Sequence, residues 1–260
     1  MRVWTLITAL ALASCAPATP MSLEARSELA PTGQVRAAIN YGNPVLATRN
    51  ATTGELGGVA VELSRELGRR MGVPVELVAY ETVAALLAGL KAGEWDVAFL
   101  AVDAARKEVA FTAPYMEVEV TYLVPARSEI RRAAQVDSPG MRIALQSKTA
   151  ADLFLTRELR HASLLRTPSA AAAFDVLKAG SADVFADNRQ HLLSVVDANA
   201  GYRVVDGRFS SIQHAAAVPA SRPAAADYLR GFIEDAKVSG FVKRALDRSG
   251  IRGVVVANER

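Results

Sequence analysis

One eight-residue phrase occurs twice in this chain, and it constrains the fold more than any other feature. Leu90-Lys91-Ala92-Gly93-Glu94-Trp95-Asp96-Val97 returns 87 residues later as Leu177-Lys178-Ala179-Gly180-Ser181-Ala182-Asp183-Val184, with six of the eight positions identical. Each copy reads as the end of a helix, a glycine whose left-handed backbone lets the chain leave it, and the start of a strand buried on both faces. Helix followed by buried strand is half of a parallel α/β unit, so two copies predict two similar lobes. In open sheets of this kind ligands lie beyond the carboxyl ends of the strands. After the first copy that end runs from Ala101 to Arg106, and after the second it is Asp187-Asn188. A cation on one lobe and an anion on the other would suit a zwitterion. As ordinary charges of βα loops they would need no ligand.

The flanking residues extend the scheme. Val35 to Ile39 reads as a strand closed by the turn formers Asn40-Tyr41-Gly42-Asn43-Pro44. Ala60, Leu63, Leu67 and Met71 form one apolar stripe at helical spacing, Val73 to Val78 a second strand, and Val83, Leu86, Leu87 and Leu90 a second helix. Strand, helix, strand, helix, strand from Val35 to Ala101 predicts a parallel sheet with right-handed crossovers. The second lobe repeats it: strand Arg142 to Leu145, a helix opened by Ser147-Lys148-Thr149 and carrying Leu153, Phe154 and Leu159, strand Leu164-Leu165, helix Ala170 to Lys178, strand Asp183 to Ala186, helix Gln190 to Val196 and strand Tyr202 to Val205. Pro223 suits the first turn of a helix with Tyr228, Leu229, Phe232 and Ile233, and a last helix carries Val238, Phe241, Val242, Ala245 and Leu246. The extended runs near 121–126 and 214–219 would link the lobes as a two-strand hinge. The expected division is 34–122 for lobe 1, 123–216 for lobe 2, and 217–260 returning to lobe 1.

Composition narrows the class. A chain of 260 residues with 51% hydrophobic and 22% charged residues is folded and globular, with room for two modest cores. A net charge of +3, with no basic run interleaved with aromatics, argues against nucleic acid. Met1-Arg2 and the apolar run Val3 to Ala13 fit a secretory signal over residues 1–14. Leu12-Ala13-Ser14-Cys15 resembles a bacterial lipobox, and Cys15 is the only cysteine, which suits a lipid anchor. Cleavage nearby with Cys15 discarded is the alternative; both place the mature chain outside the cytoplasm, anchored to a membrane or soluble in the periplasm. Residues 15–33 read as a tether. No later stretch reaches the roughly 18 uncharged apolar residues of a membrane span.

Two further runs carry a family resemblance. Gly54-Glu55-Leu56-Gly57-Gly58-Val59-Ala60-Val61-Glu62-Leu63 and Asp103-Ala104-Ala105-Arg106-Lys107-Glu108-Val109-Ala110-Phe111-Thr112-Ala113-Pro114-Tyr115 are similar to the turn-helix segment and the arginine-to-Pro-Tyr segment of bacterial extracellular solute-binding proteins of the polar amino-acid class. The resemblance covers roughly residues 35–250. It implies an α/β two-lobed Venus flytrap of the type II periplasmic binding fold, a monomer that closes on a small solute and hands it to a membrane-embedded ABC importer. It also implies roles: Arg106 for the ligand carboxylate, Ser147 and Thr149 in the loop that opens a helix toward the same carboxylate, Asp187 for an α-ammonium, and Tyr41 and Tyr80 as aromatic walls. Where the family commonly has a hydroxyl residue this chain has Ala101, Lys148 replaces a glycine, and Glu81 falls near an aromatic position. A small carboxylate without an amine therefore stays open as the ligand.

No cofactor motif, metal constellation, Gly-x-Ser-x-Gly elbow or phosphate-binding loop appears, and His161, His191 and His214 are expected at surfaces or in loops. The competing readings are an enzyme similar to periplasmic cyclohexadienyl dehydratases, with Glu81, Glu117 or Glu119 as acid, and a lipoprotein that presents its ligand to a membrane sensor.

Overall fold

The computed structural model describes residues 21–147 and 149–257. The signal segment, Cys15 and Lys148 lie outside them.

The elements follow in order as α1 (Leu23–Leu29), β1 (Val35–Asn40), a hairpin of β2 (Thr48–Arg49) and β3 (Leu56–Gly57), α2 (Val59–Met71), β4 (Val75–Tyr80), α3 (Val83–Lys91), β5 (Val97–Ala101) and the long β6 (Val109–Pro125). There follow β7 (Arg142–Gln146), α4 (Ala150–Glu158), β8 (Ser163–Thr167), α5 (Ala170–Lys178), β9 (Val184–Asn188), α6 (Arg189–Ala198) and β10 (Tyr202–Val204). The chain ends with β11 (Ser210–Pro219), α7 (Pro223–Val238), α8 (Phe241–Ser249) and β12 (Val254–Val256). Strand order across the sheet is β4-β1-β5-β11-β6-β9-β7-β8. The outer trios β4-β1-β5 and β8-β7-β9 are parallel, as the repeat predicts, and antiparallel β11 and β6 join them.

The two glycines of the repeat act as expected: Gly93 and Gly180 have φ of 69° and 72°, the left-handed region open to glycine at low cost, and each follows a helix end. Each lobe packs helices on both faces of its strands. In lobe 1 one core joins α2, α7 and α8 to Val97, Phe99 and Ala216, while Leu86 and Trp95 fill the opposite face. In lobe 2, Ile143, Leu155 and Val184 form one core and Ala144, Phe174 and Phe185 the other.

Several expectations are corrected. The stretch assigned to a tether contains α1, which buries Ala25 and Leu29 and docks on α7. Glu28 accepts the backbone N–H of Ala225 at 2.7 Å and so caps α7, while Arg26 donates to the Met71 carbonyl. A seven-residue helix has too few apolar positions to show a period by sequence. Val238 ends α7 and is exposed, so it does not belong to the last helix. The helix opened by Thr149 ends at Glu158, so Leu159 is its C-cap, and Leu153 lies within it as expected, 60% exposed. β12, which pairs with β6 at residues 116–118, was not anticipated.

The hinge also shifts. Within β6 the residues to Val118 pair with lobe 1 elements, and Val120 to Leu123 pair with β9. Within β11, Ser210–Ile212 pair with Val120–Val118, and His214 onward pairs with β5. The lobes therefore exchange at about 118–120 and 210–213, earlier than the apolar runs. Tyr122 lies in a lobe 2 core and Ala216 in a lobe 1 core. Those runs are hydrophobic because each is already inside a lobe; the exchange itself alternates, with Glu119 between Val118 and Val120 and Ser210 and Ser211 before Ile212.

Candidate functional site

The carboxyl ends of the lobe 2 strands enclose a cavity of about 410 Å³, lined by Gln146 at the end of β7, Asp187 and Asn188 at the end of β9, Thr149, Ala150 and Ala151 at the start of α4, Ala170, His191, and the hinge residues Val120 and Ile212. The repeat and the resemblance both pointed to this end of the lobe.

Thr149 builds the α4 end of the cavity. Its hydroxyl accepts the Asp152 N–H at 3.3 Å and donates to the Gln146 carbonyl at 2.9 Å, so the side chain is spent on capping. The anion-binding capacity here comes from the first-turn N–H groups of the helix. Ser147 is likewise engaged, since its backbone N–H and its hydroxyl both donate to the Thr167 carbonyl, at 3.0 and 2.8 Å. It does not line the cavity and acts as a brace for the loop.

Asp187 faces the cavity with its carboxylate partly satisfied. Oδ1 accepts the Asn188 N–H at 2.7 Å, and Oδ2 lies 2.7 Å from Nδ1 of His191. Asn188 caps α6 by accepting the His191 N–H at 2.9 Å, which sets His191 on the first turn, directly over Asp187. His191 was expected to be a surface residue. The signal that could have located it is Asp-Asn-x-x-His at a strand end, because a capping Asn fixes where the residue three positions on must stand.

Lobe 1 brings Arg106, 18% exposed, whose Nη1 donates to the Ala101 carbonyl at 2.5 Å and whose Nε lies 3.8 Å from Asp103. This folds the βα loop back on the strand end and leaves Nη2 without a protein partner among the described residues. Arg106 does not line the lobe 2 cavity. It reaches the hinge through Ala101, which pairs across the sheet with His214, two residues from Ile212.

His214 is also corrected: it is 2% exposed, and its Nε2 has no hydrogen-bond partner among the described residues. Burial pulls its pKa down to about 4, helped by the positive charge of Arg106. Asp187 acts oppositely on His191, raising its pKa through their hydrogen bond.

The aromatic walls divide. Tyr41 follows β1 at the carboxyl-end rim, half-buried, with the Arg49 guanidinium 5.4 Å over its ring. Tyr80 is not a wall. Its ring packs with Leu86, Trp95 and Leu100, and its hydroxyl donates to Glu94 at 2.7 Å. It pairs with Asn40 in the register of β1 and β4 and so shares the α3 face of the sheet; the next residue, Glu81, is exposed. Alternation along the strand decides this, and a shift of one residue reverses the face.

Glu117 and Glu119 lie at the hinge and are held by arginines: Arg208 is 2.9 Å from Glu117 and 3.7 Å from Glu119, and Arg189 donates to Glu119 at 2.5 Å. Among the described residues no group of three or more His, Cys, Asp or Glu side chains could hold a metal, and no helix is long and apolar enough to cross a membrane.

Solved structures share this fold. An ancestral cationic amino acid solute-binding protein is 21% identical with a TM-score of 0.64, covering 87% of this chain and 99% of that one. An amino acid ABC transporter substrate-binding protein from Streptococcus pneumoniae, bound to L-arginine, is 20% identical with a TM-score of 0.60, covering 86% and 97%. An ancestral cyclohexadienyl dehydratase is 20% identical with a TM-score of 0.61, covering 88% and 97%. At these identities the likeness concerns the fold. No curated protein sequence matches this chain. The profile of the bacterial extracellular solute-binding proteins, family 3, matches residues 35–249, and with the two-lobed sheet and its interlobe hinge this places the chain in that family.

Proposed function

We propose that this protein captures a small carboxylate-bearing solute, an amino acid before others, in the cleft between its lobes and delivers it to an ABC importer as a monomeric, membrane-anchored periplasmic lipoprotein. The observation that carries this reading is the lobe 2 cavity, where the α4 N-terminus and the Asp187 carboxylate stand together at the strand ends. A helix N-terminus favours a carboxylate and Asp187 an ammonium, so one α-amino acid satisfies both. Arg106 supplies the second carboxylate contact from lobe 1, and Tyr41 an aromatic wall. Charge-assisted contacts contribute roughly 1.5–3 kcal/mol each, and micromolar affinity needs about −8 kcal/mol. A few such contacts with burial of the ligand reach it. Closure follows because the ligand touches both lobes only in the closed form.

An enzyme on the same fold is the second reading, prompted by the dehydratase likeness. Glu117 and Glu119 argue against it, because both carboxylates are engaged at the hinge by Arg208 and Arg189 and neither lines the lobe 2 cavity. Glu81 is exposed and does not line the lobe 2 cavity.

A thermal-shift screen of the purified chain against single amino acids, their deaminated analogues and prephenate separates these readings. The expected result is a saturable rise with an amino acid that is lost in Arg106→Ala. Stabilisation only by amine-free acids would remove Asp187 from its role, and consumption of prephenate would establish the enzyme.

A further inference from the structure

Asp187, the acid assigned to the ligand ammonium, already has a basic neighbour. His191 is fixed beside it by three contacts: its N–H on Asn188, its ring edge-on to Phe185 at 6.1 Å between centroids, and Nδ1 at 2.7 Å from Asp187 Oδ2. Both side chains line the cavity. A protonated imidazole neutralises the carboxylate and presents a positive charge where a ligand ammonium would have to arrive. A neutral imidazole leaves Asp187 with a full charge to offer.

We propose that His191 is a specificity-determining residue of the site: its imidazolium and the ligand's ammonium compete for Asp187, so uptake of an ammonium-bearing solute releases one proton from His191 to the solvent. The inference rests on the reading of Asp187 as the ligand's acid. It follows that the site binds amino acids more weakly as acidity increases, by about tenfold per pH unit below the His191 pKa. An amine-free carboxylate, for which the imidazolium is an attraction, shows the opposite trend.

The neighbouring charges leave this competition intact. β6, which underlies α6, contributes Glu119, already bonded by Arg189 of α6 itself. From β10, Arg203 turns to the carbonyls of Ser128 and Ile130, and the Tyr202 ring packs edge-on against Phe174. Across the cavity Asp152 of α4 is held by Arg166, and at the far end of α6 Asp197 pairs with Arg252. Asp187 is the acid in direct contact with the imidazole.

Calorimetry of the full chain in buffers of differing ionisation enthalpy tests this directly. The probes are the twenty proteinogenic L-amino acids, with propionate and glutarate as amine-free counterparts of alanine and glutamate. The expected result for a binding amino acid is greater proton release at pH 6 than at pH 8.5, with release and pH dependence both absent in His191→Gln. In a second readout that needs no variant, proton NMR should show the His191 pKa falling on saturation with that amino acid. Binding with no proton release and an unmoved His191 pKa overturns the inference while leaving the amino-acid site standing. Failure of every amino acid to bind at either pH overturns the site reading and the inference together.

Discussion

The two lobes use one device in two environments. In lobe 1 the Asp96 carboxylate accepts from the Arg36 backbone N–H, Nε and Nη2 at 3.1, 2.9 and 2.8 Å, and Arg36 Nη1 donates to the Gly93 carbonyl. In lobe 2 Asp183 accepts from the Arg142 N–H, Nε and Nη2 at 2.9, 3.1 and 2.9 Å, and Arg142 donates to the Gly180 carbonyl. The repeated Asp thus clamps the first or second residue of the neighbouring strand, and the arginine ties down the glycine that ends the preceding helix. The surroundings differ. Asp96 is fully buried and receives a second arginine, Arg222, at 2.6 Å, whereas the Asp183 side chain is 36% exposed and among the described residues pairs with Arg142 alone. Arg222 precedes α7 and also donates to the Glu28 carbonyl of α1. The lobe that holds both ends of the described chain has turned a local clamp into the junction of α1, α7 and the sheet. The same motif can be a peripheral brace or a central tie, according to what the rest of the chain lays over it.

This contrast can be broken at its strongest point first. Asp96→Asn leaves two partly buried arginines, Arg36 and Arg222, without the buried carboxylate they share and should cost about 3 kcal/mol in urea unfolding. The matched Asp183→Asn, open to solvent, should cost roughly 1 kcal/mol or less. Equal losses would mean that burial of the clamp has no energetic consequence.

The histidines sharpen the comparison by opposite signs. His214 is neutral when folded, with a pKa pushed down to about 4 from an ordinary 6.5. The unfolded chain takes up a proton that the folded chain refuses, so stability should fall by about 3 kcal/mol as pH drops from 6.5 to 4. His191 has its pKa raised by Asp187, so its contribution is present below pH 6.5 and is lost as pH rises through the raised value. Being part-exposed, it should account for roughly 1 kcal/mol or less. Melting curves from pH 4 to 9 should show the acid limb flattened in His214→Asn and the alkaline limb flattened in His191→Asn.

A smaller effect is expected at the helix ends. Gly93→Ala and Gly180→Ala each place a β-carbon on left-handed backbone with open space around it, so the cost is conformational, about 1 kcal/mol in each lobe. Because steric surroundings do not enter, the two losses should agree, in contrast to the two aspartates.

Much of this was legible in the residues. The repeat announced two lobes because a helix stop, a C-terminal glycine and a buried strand are local physics. It also located the loop of Arg106 and the strand end of Asp187, since a parallel sheet presents its carboxyl ends together. The missed features share a cause: each depends on partners distant in sequence. The helix α1 has its stability from α7, β12 from β6, and the orientation of Tyr80 from its register with β1. The hinge lies earlier than the apolar runs because those runs report burial within a lobe, while the exchange mixes polar and apolar residues and shows no run of its own.

The sequence by itself determined the class of fold, its two-lobed plan, the family resemblance and the chemistry of the strand ends, all of which rest on spacings of a few residues. Tertiary structure alone decided that Asp96 is a central tie and Asp183 a peripheral one. It also decided that Tyr80 is core and that Asp187 and His191 share one cavity wall. Burial, face and charge pairing are properties of what packs opposite a residue, and that is set by chain returning from far away.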